Sequence, residues 1–223
     1  MSEAIENKKI IMIIGETGSG KTTSLRNMPL EKTVYIDVDR KSIKSFKGME
    51  KFKDWIKLDF VDHLMPGLQM LEDDDECEYI VIDTLSFLLD LYATQKIDTA
   101  EDTRAAWGDY KRFYKELINH VKTSKKSYIF MAHPKTIYNE MEMEQKTFAY
   151  AQGSIAGKME GDFAVVLYTR KYLNQDGLPA FGFSTNVTKE TIHTSVKTPF
   201  GMFDEPVLAD NDIMEVFRAI EEY

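Results

Sequence analysis

The sequence predicts an α/β fold: a mostly parallel central sheet flanked by helices, with a β-hairpin extension toward the C-terminus. Three observations lead there. Short β-branched runs such as Ile10–Ile14, Tyr79–Asp83 and Ser127–Ala132 alternate with helix-period segments. These runs are apolar at consecutive positions, as expected of strands covered on both faces. The first of them enters Gly15-Glu16-Thr17-Gly18-Ser19-Gly20-Lys21-Thr22, a G-x-x-x-x-G-K-[ST] phosphate-binding loop, which needs a buried strand before it and a helix start after it.

Taken in order, Lys9–Ile14 is the first strand. A helix follows the loop and stops before Met28-Pro29, because proline disfavours a helical residue ahead of it. Thr33–Asp37 is a second strand, and Trp55–Leu58 a short further one. Val61–Leu71 forms a helix that ends in an acidic run. Tyr79–Asp83 is a strong buried strand, and Leu85–Ala93 is helical. Asp98–Arg104 is a polar loop. Trp107–Lys122 carries Tyr110, Phe113, Tyr114, Leu117, Ile118 and Val121 at helical spacing. Ser127–Ala132 is a strand. Thr136–Ser154 is polar and aperiodic and is expected to be a long functional loop. Ile155–Asp162 suits a short helix, Phe163–Tyr168 a strand, Tyr172–Asn186 a hairpin about Asp176-Gly177, and His193–Thr198 a last strand. The terminal segment has Ile213, Val216, Phe217 and Ile220 on one helical face, with Asp210 or Asn211 as its cap.

A chain of 223 residues suggests one domain spanning residues 1–223, long enough for a full core. The apolar runs are too short to cross a bilayer, and Met1–Lys9 is too polar for a secretion signal. Cys77 is the sole cysteine, so an internal disulfide is excluded and a cytoplasmic location is expected. The net charge of −9 argues against indiscriminate nucleic-acid binding. The acids are concentrated, however, in Glu72–Glu78 and at Glu140, Glu142 and Glu144, so a local basic groove stays open.

The loop supplies the chemistry. Its backbone N–H groups, from Gly15 through Glu16, Thr17, Gly18, Ser19 and Gly20 to Lys21, Thr22 and Thr23, can cradle phosphate. Lys21 reaches the β- and γ-phosphates, and the Thr22 hydroxyl binds Mg²⁺. Four apolar or aromatic residues ending in Asp83 form a Walker B signature, placing a second Mg²⁺-holding group at a strand end. The same aspartate also suits a cap for the next helix. Asp37 and Asp39 end the second strand. Asp39 is the first candidate to activate an attacking water and Glu16 the second, while a turn role fits Asp39 almost equally. His133 follows a buried strand, where an imidazole can sense the γ-phosphate or serve structure alone.

This order of parts resembles the RecA-like P-loop ATPase core. Gly15–Thr22, Tyr35–Asp39, Tyr79–Thr84, Trp107–Tyr110, Met131–His133, Gly153–Ala156 and Lys197–Phe203 together resemble the small phage Sak-type single-strand-annealing and recombination ATPases. The resemblance implies ATP as the nucleotide, Mg²⁺ as its metal, and hydrolysis. Asp39 falls where such proteins carry a catalytic glutamate, and is one methylene shorter. His133 falls at the sensor position. Lys135–Gln152 would be the loop that approaches single-stranded DNA, with Tyr138, Phe148 and Tyr150 able to stack on bases and three glutamates that repel phosphate. Lys197 would reach a neighbour's nucleotide in a homo-oligomeric ring or filament, with Arg170 and Lys171 as the other candidates. A single-strand-binding protein is a further implied partner, and a host cytoplasm the implied location; no membrane is implied. The alternative is a nucleotide-gated motor or assembly ATPase acting on a protein partner. A small-molecule kinase lacks an arginine-rich lid here, and a GTPase lacks an N-K-x-D guanine reader.

Overall fold

The computed structural model describes residues 9–41, 43–140, 143–189 and 191–223. The polar segment up to Asn7-Lys8, and Glu142 of the acidic group, lie outside them. The strands are β1 (Ile10–Ile14), β2 (Thr33–Asp37), β3 (Asp54–Lys57), β4 (Tyr79–Asp83), β5 (Ser127–Ala132), β6 (Pro134–Asn139), β7 (Glu144–Ala149), β8 (Val165–Leu173), β9 (Pro179–Ser184) and β10 (Val207–Leu208). The α-helices are α1 (Leu64–Glu72), α2 (Leu85–Tyr92), α3 (Thr103–Thr123) and α4 (Ile213–Glu222).

Eight strands form one sheet in the order β10-β9-β8-β1-β5-β4-β2-β3, while β6 and β7 pair as a separate hairpin. From β8 to β3 every pairing is parallel; β9 and β10 join antiparallel at one edge. Two strands, β5 and β4, thus intervene between β1 and β2. The period-2 alternation of side chains decides the core. Met12, Ile14, Ile36, Ile80 and Ile82 face one cluster, which α1, α2 and α3 cover with Leu64, Leu68, Leu88, Tyr114 and Leu117. Ile11, Ile13, Tyr35, Val81 and Ile129 face the other, which α4 covers with Val216, Phe217 and Ile220. Burying such side chains contributes about 1.5–3 kcal/mol each, and β1 is buried along its whole length. Among the described residues, no helix is long and apolar enough to cross a membrane.

Several expectations are corrected. The segment after the phosphate loop is a 3-10 turn of four residues, Thr22–Leu25, not an α-helix. Pro29 closes it too early for a helical ladder to grow, so its dipole is small. The expected loop over Thr136–Ser154 contains the regular β6–β7 hairpin, paired from Pro134↔Ala149 to Asn139↔Glu144. Its strands are polar because both faces are largely open to solvent, so no burial-driven alternation marks them. Ile155–Asp162 is not one helix: 3-10 turns lie at Gly153–Ile155 and Met159–Asp162. His193–Thr198 is not a strand but makes two isolated bridges, Thr147↔Thr194 and Val166↔Lys197, that tie the hairpin to the sheet. Asp212, rather than Asp210 or Asn211, caps α4 by accepting from the Met214 N–H at 2.9 Å. Thr84 caps α2 by accepting from the Phe87 N–H, so Asp83 is free of that duty.

Candidate functional site

The C-terminal ends of β1, β5, β4 and β2 lie along one edge of the sheet, the position where open α/β sheets bind ligands. A cavity of about 580 Å³ opens there, lined by Thr17, Gly18, Gly20, Lys21, Thr22 and Thr23 from the loop, Asp39 and Lys41 after β2, and Phe87, His133 and Phe181. The residues that the sequence scatters over more than a hundred positions are brought together by strand order.

The loop conformation follows from its glycines and its packing. Gly20 has φ of +94°, a conformation side chains disfavour, and a Cβ there would meet the Phe181 ring at 2.9 Å. A Cβ on Gly15 would collide with the Thr169 hydroxyl. That hydroxyl hydrogen-bonds with Ser19 and thereby anchors the loop to β8. Asn211 donates to the Gly20 carbonyl at 2.7 Å and accepts from Arg26 at 3.0 Å, so the segment before α4 braces the loop from its far side. The Lys21 ammonium turns back onto the carbonyls of Gly15 at 2.6 Å and Glu16 at 3.0 Å. Burial pushes its pKa down to about 8, against the opposing pull of Asp83. An anion in the cavity would offset that burial cost and favour the charged form.

Asp83 sits at the centre. Its side chain has 0% exposure. One oxygen, Oδ2, accepts from the Thr22 hydroxyl at 2.8 Å, from the Tyr35 hydroxyl at 2.5 Å and from the Lys41 ammonium. The other, Oδ1, is buried with no hydrogen-bond partner among the described residues. Burial and the neighbouring Asp83 charge push the Tyr35 phenol well above its ordinary pKa, so it stays a donor. The Thr22–Asp83 pair spans the width of β5, which separates β1 from β4.

This oxygen set fits magnesium. Thr22 Oγ1 and the unsatisfied Asp83 Oδ1 are hard donors of the kind Mg²⁺ prefers. Among the described residues no group of three or more His, Cys, Asp or Glu side chains is placed to hold a metal. The arrangement suits an ion that takes its remaining ligands from water and a polyphosphate. When bound, such an ion would neutralise phosphate charge.

The other candidates separate clearly. Asp37 is fully buried and turned away: it accepts from the Lys41 N–H at 3.1 Å and from the Trp55 indole at 3.1 Å, and so shapes the turn after β2. Asp39 lines the cavity and accepts from the Thr84 hydroxyl at 3.2 Å. Burial first, and the Asp83 charge second, raise its pKa. Glu16 is exposed and faces a different depression, alongside Arg170 and Lys171. His133 lines the cavity; its Nε2 is buried without a partner among the described residues, its backbone N–H donates to the Ser86 hydroxyl at 3.0 Å, and its ring meets Phe87 edge-on at 5.2 Å. Burial, then Lys21, lower its pKa, so the imidazole is neutral near pH 7. Lys197 is exposed and outside this cavity, held by backbone bonds with Val166 in both directions.

Sequence reasoning missed Lys41, Tyr35, Thr169 and Phe181. Tyr35 passes for a strand aromatic, and Lys41 for a loop lysine; no spacing rule connects either to Asp83. The pairing of β2 beside β4 does so for Tyr35, and the turn tied by Asp37 does so for Lys41.

A family model described as an AAA domain matches residues 7–198. No curated protein matches the sequence. With the loop, the Asp83 carboxylate and the parallel sheet in register with that match, the chain belongs to the AAA domain family, an ATPase-type P-loop domain.

Proposed function

We propose that this chain is a Mg²⁺-dependent ATPase whose turnover is coupled to single-stranded DNA in an oligomer, as in the Sak-type recombination proteins it resembles. The observation that carries the ATPase reading is the 2.8 Å bond from Thr22 to buried Asp83, with Lys21 beside them in one cavity. Phosphoryl transfer asks the protein chiefly for positioning and charge stabilisation. In this reading the loop N–H groups and Lys21 hold the β- and γ-phosphates, and Thr22 and Asp83 hold the metal. Asp39, its pKa raised, takes the proton of the attacking water, while His133 Nε2 meets a γ-phosphate oxygen.

The DNA reading is supported by the hairpin. β6 begins at the residue after His133, and the Tyr150 N–H donates back to the His133 carbonyl at 2.8 Å. Ser86 joins the two, accepting from the His133 N–H and donating to the Tyr150 carbonyl. A shift at the sensor would therefore move the base of a hairpin bearing exposed Ile137 and Tyr138. Lys197, clear of its own chain's cavity, is available to a neighbouring protomer.

The protein-partner alternative draws on different features: Phe200 is 99% exposed, and the hairpin carries Glu140 and Glu144 as well as Lys135 and Lys146. ATP turnover and particle size, each measured with and without single-stranded DNA, decide between them. DNA-stimulated turnover with growth in particle size supports the first reading; one rate throughout and no DNA mobility shift removes it.

A further inference from the structure

A lysine ammonium lies where a metal would be needed. Lys41 Nζ touches Asp83 Oδ2, lies 2.9 Å from Thr22 Oγ1 and 3.3 Å from the Tyr35 hydroxyl, and stands 3.7 Å from Asp39 Oδ2. Thr22 and Asp83 are the two side chains assigned above to Mg²⁺, so the ammonium and the ion compete for the Thr22 oxygen and for the charge of one carboxylate, the ammonium on Oδ2 and the ion on the neighbouring Oδ1. Among the described residues, Lys41 is the cation that pairs with the buried Asp83 carboxylate, since Lys21 is directed to loop carbonyls instead. A buried charge left uncompensated is strongly destabilising, and Lys41 supplies the compensation.

Lys41 is also built to move. Its backbone N–H is pinned by both oxygens of Asp37, at 3.1 and 3.3 Å, which holds the start of the side chain whatever its end does. The side chain keeps 24% exposure and lines the cavity. Asp39, at the cavity wall, offers the ammonium a second carboxylate within a small swing. The four-carbon stem permits that swing without a change in backbone.

We propose that Lys41 is a tethered counter-cation: it neutralises Asp83 when the site is empty and yields Thr22 and Asp83 to Mg²⁺ when the nucleotide enters. The displaced ammonium turns toward Asp39 and the terminal phosphate. Loading is then an exchange of one cation for another, and the site never leaves Asp83 bare. Without metal, Lys41 remains in place and offsets part of the phosphate charge itself. This inference rests on the nucleotide reading of the cavity.

The test is the ratio of the ADP dissociation constant in EDTA to that in excess Mg²⁺, by calorimetry on the full chain. Lys41→Met removes both the metal's competitor and the metal-free counter-charge, so the ratio should rise at least tenfold over the unaltered protein; Lys41→Arg, which keeps the charge, should stay within about threefold of it. An unchanged or lower ratio in Lys41→Met overturns the exchange and leaves the nucleotide reading intact. Absence of ADP binding to the unaltered protein in either condition overturns both. A second measurement does not depend on the Met variant folding. In protein carrying ¹³Cε-lysine, the signal missing from Lys41→Arg should shift on saturation with Mg²⁺ and ADP, and return when EDTA is added. A signal that stays in place through both additions overturns the proposal.

Discussion

The cavity edge and the β6–β7 hairpin meet at His133, yet they are built on opposite principles. At the cavity, charged groups are buried and bonded to one another: Asp83 holds Thr22, Tyr35 and Lys41, and Lys21 folds onto its own loop. On the hairpin, Thr136, Ile137 and Tyr138 point into solvent, and beyond their mutual pairing the strands are tied to the rest of the molecule by a bridge from Thr147 to Thr194. A buried polar network is costly to leave half-made, so each member is constrained by its partners. An exposed hairpin bears no such constraint and can be shaped by what it touches. Under the function proposed above, the contrast divides the work: catalysis falls to the bonded edge and recognition to the projecting ribbon, with His133 and Ser86 as the joint.

Substitutions at the edge should produce the largest effects. Lys21→Ala removes the phosphate counter-charge, and steady-state phosphate release should fall a hundredfold or more, roughly the scale of losing one preorganised charge donor. Retention of normal turnover would contradict its role. Asp83→Asn should lower Mg²⁺-supported turnover by at least about tenfold while ADP binding in EDTA changes less, because the carboxylate serves the metal rather than the phosphate. Equal losses with and without metal would break that division.

The hairpin should behave as a separable part. Tyr138→Ala should weaken single-stranded DNA binding by about tenfold, the scale of one lost base stack, with ADP affinity unchanged. Fluorescence anisotropy on a labelled oligonucleotide, beside calorimetry with ADP, gives both numbers. A joint loss would mean that the two regions are not independent. At the joint, Ser86→Ala leaves the His133 N–H and the Tyr150 carbonyl without their shared partner. Urea unfolding should show a stability loss of about 1–3 kcal/mol.

The smallest effect concerns pH. The folded-state pKa of His133 lies below its ordinary 6.5, through burial and the nearby Lys21. As pH falls through 6.5 the unfolded chain takes up that proton first, so this group subtracts stability progressively below 6.5 and is silent above it. His133→Gln should flatten that part of the stability–pH curve. Imidazole NMR should show the ring neutral at pH 7; a ring charged at pH 7 would reverse the sign.

Burial explains which parts of the molecule were legible beforehand. β2, β4 and β5 match their expected bounds because both faces are covered and the residues between their ends are all apolar or aromatic. The turn after the loop departs from expectation because the helix is expected from the motif's usual context, whereas Thr22, Thr23, Ser24 and Asn27 are weak helix formers and Pro29 follows closely. The hairpin was illegible as strands because neither face is consistently buried, leaving no alternation to detect. Asp37 and Asp39 illustrate the limit at the site: two carboxylates two residues apart, of which one faces Trp55 inside the turn and the other the cavity.

From the sequence alone came the phosphate loop, the strands that carry it, and the acid at the end of β4, because each is set by local spacing and by the apolar run a buried strand requires. Only the tertiary structure decided that Thr22 and Asp83 meet across the end of β5, that Tyr35 and Lys41 join them, and that Glu16 does not. Those contacts depend on strand order and on the turn Asp37 ties after β2, and the chemical identity of a residue does not encode how far the fold will carry it.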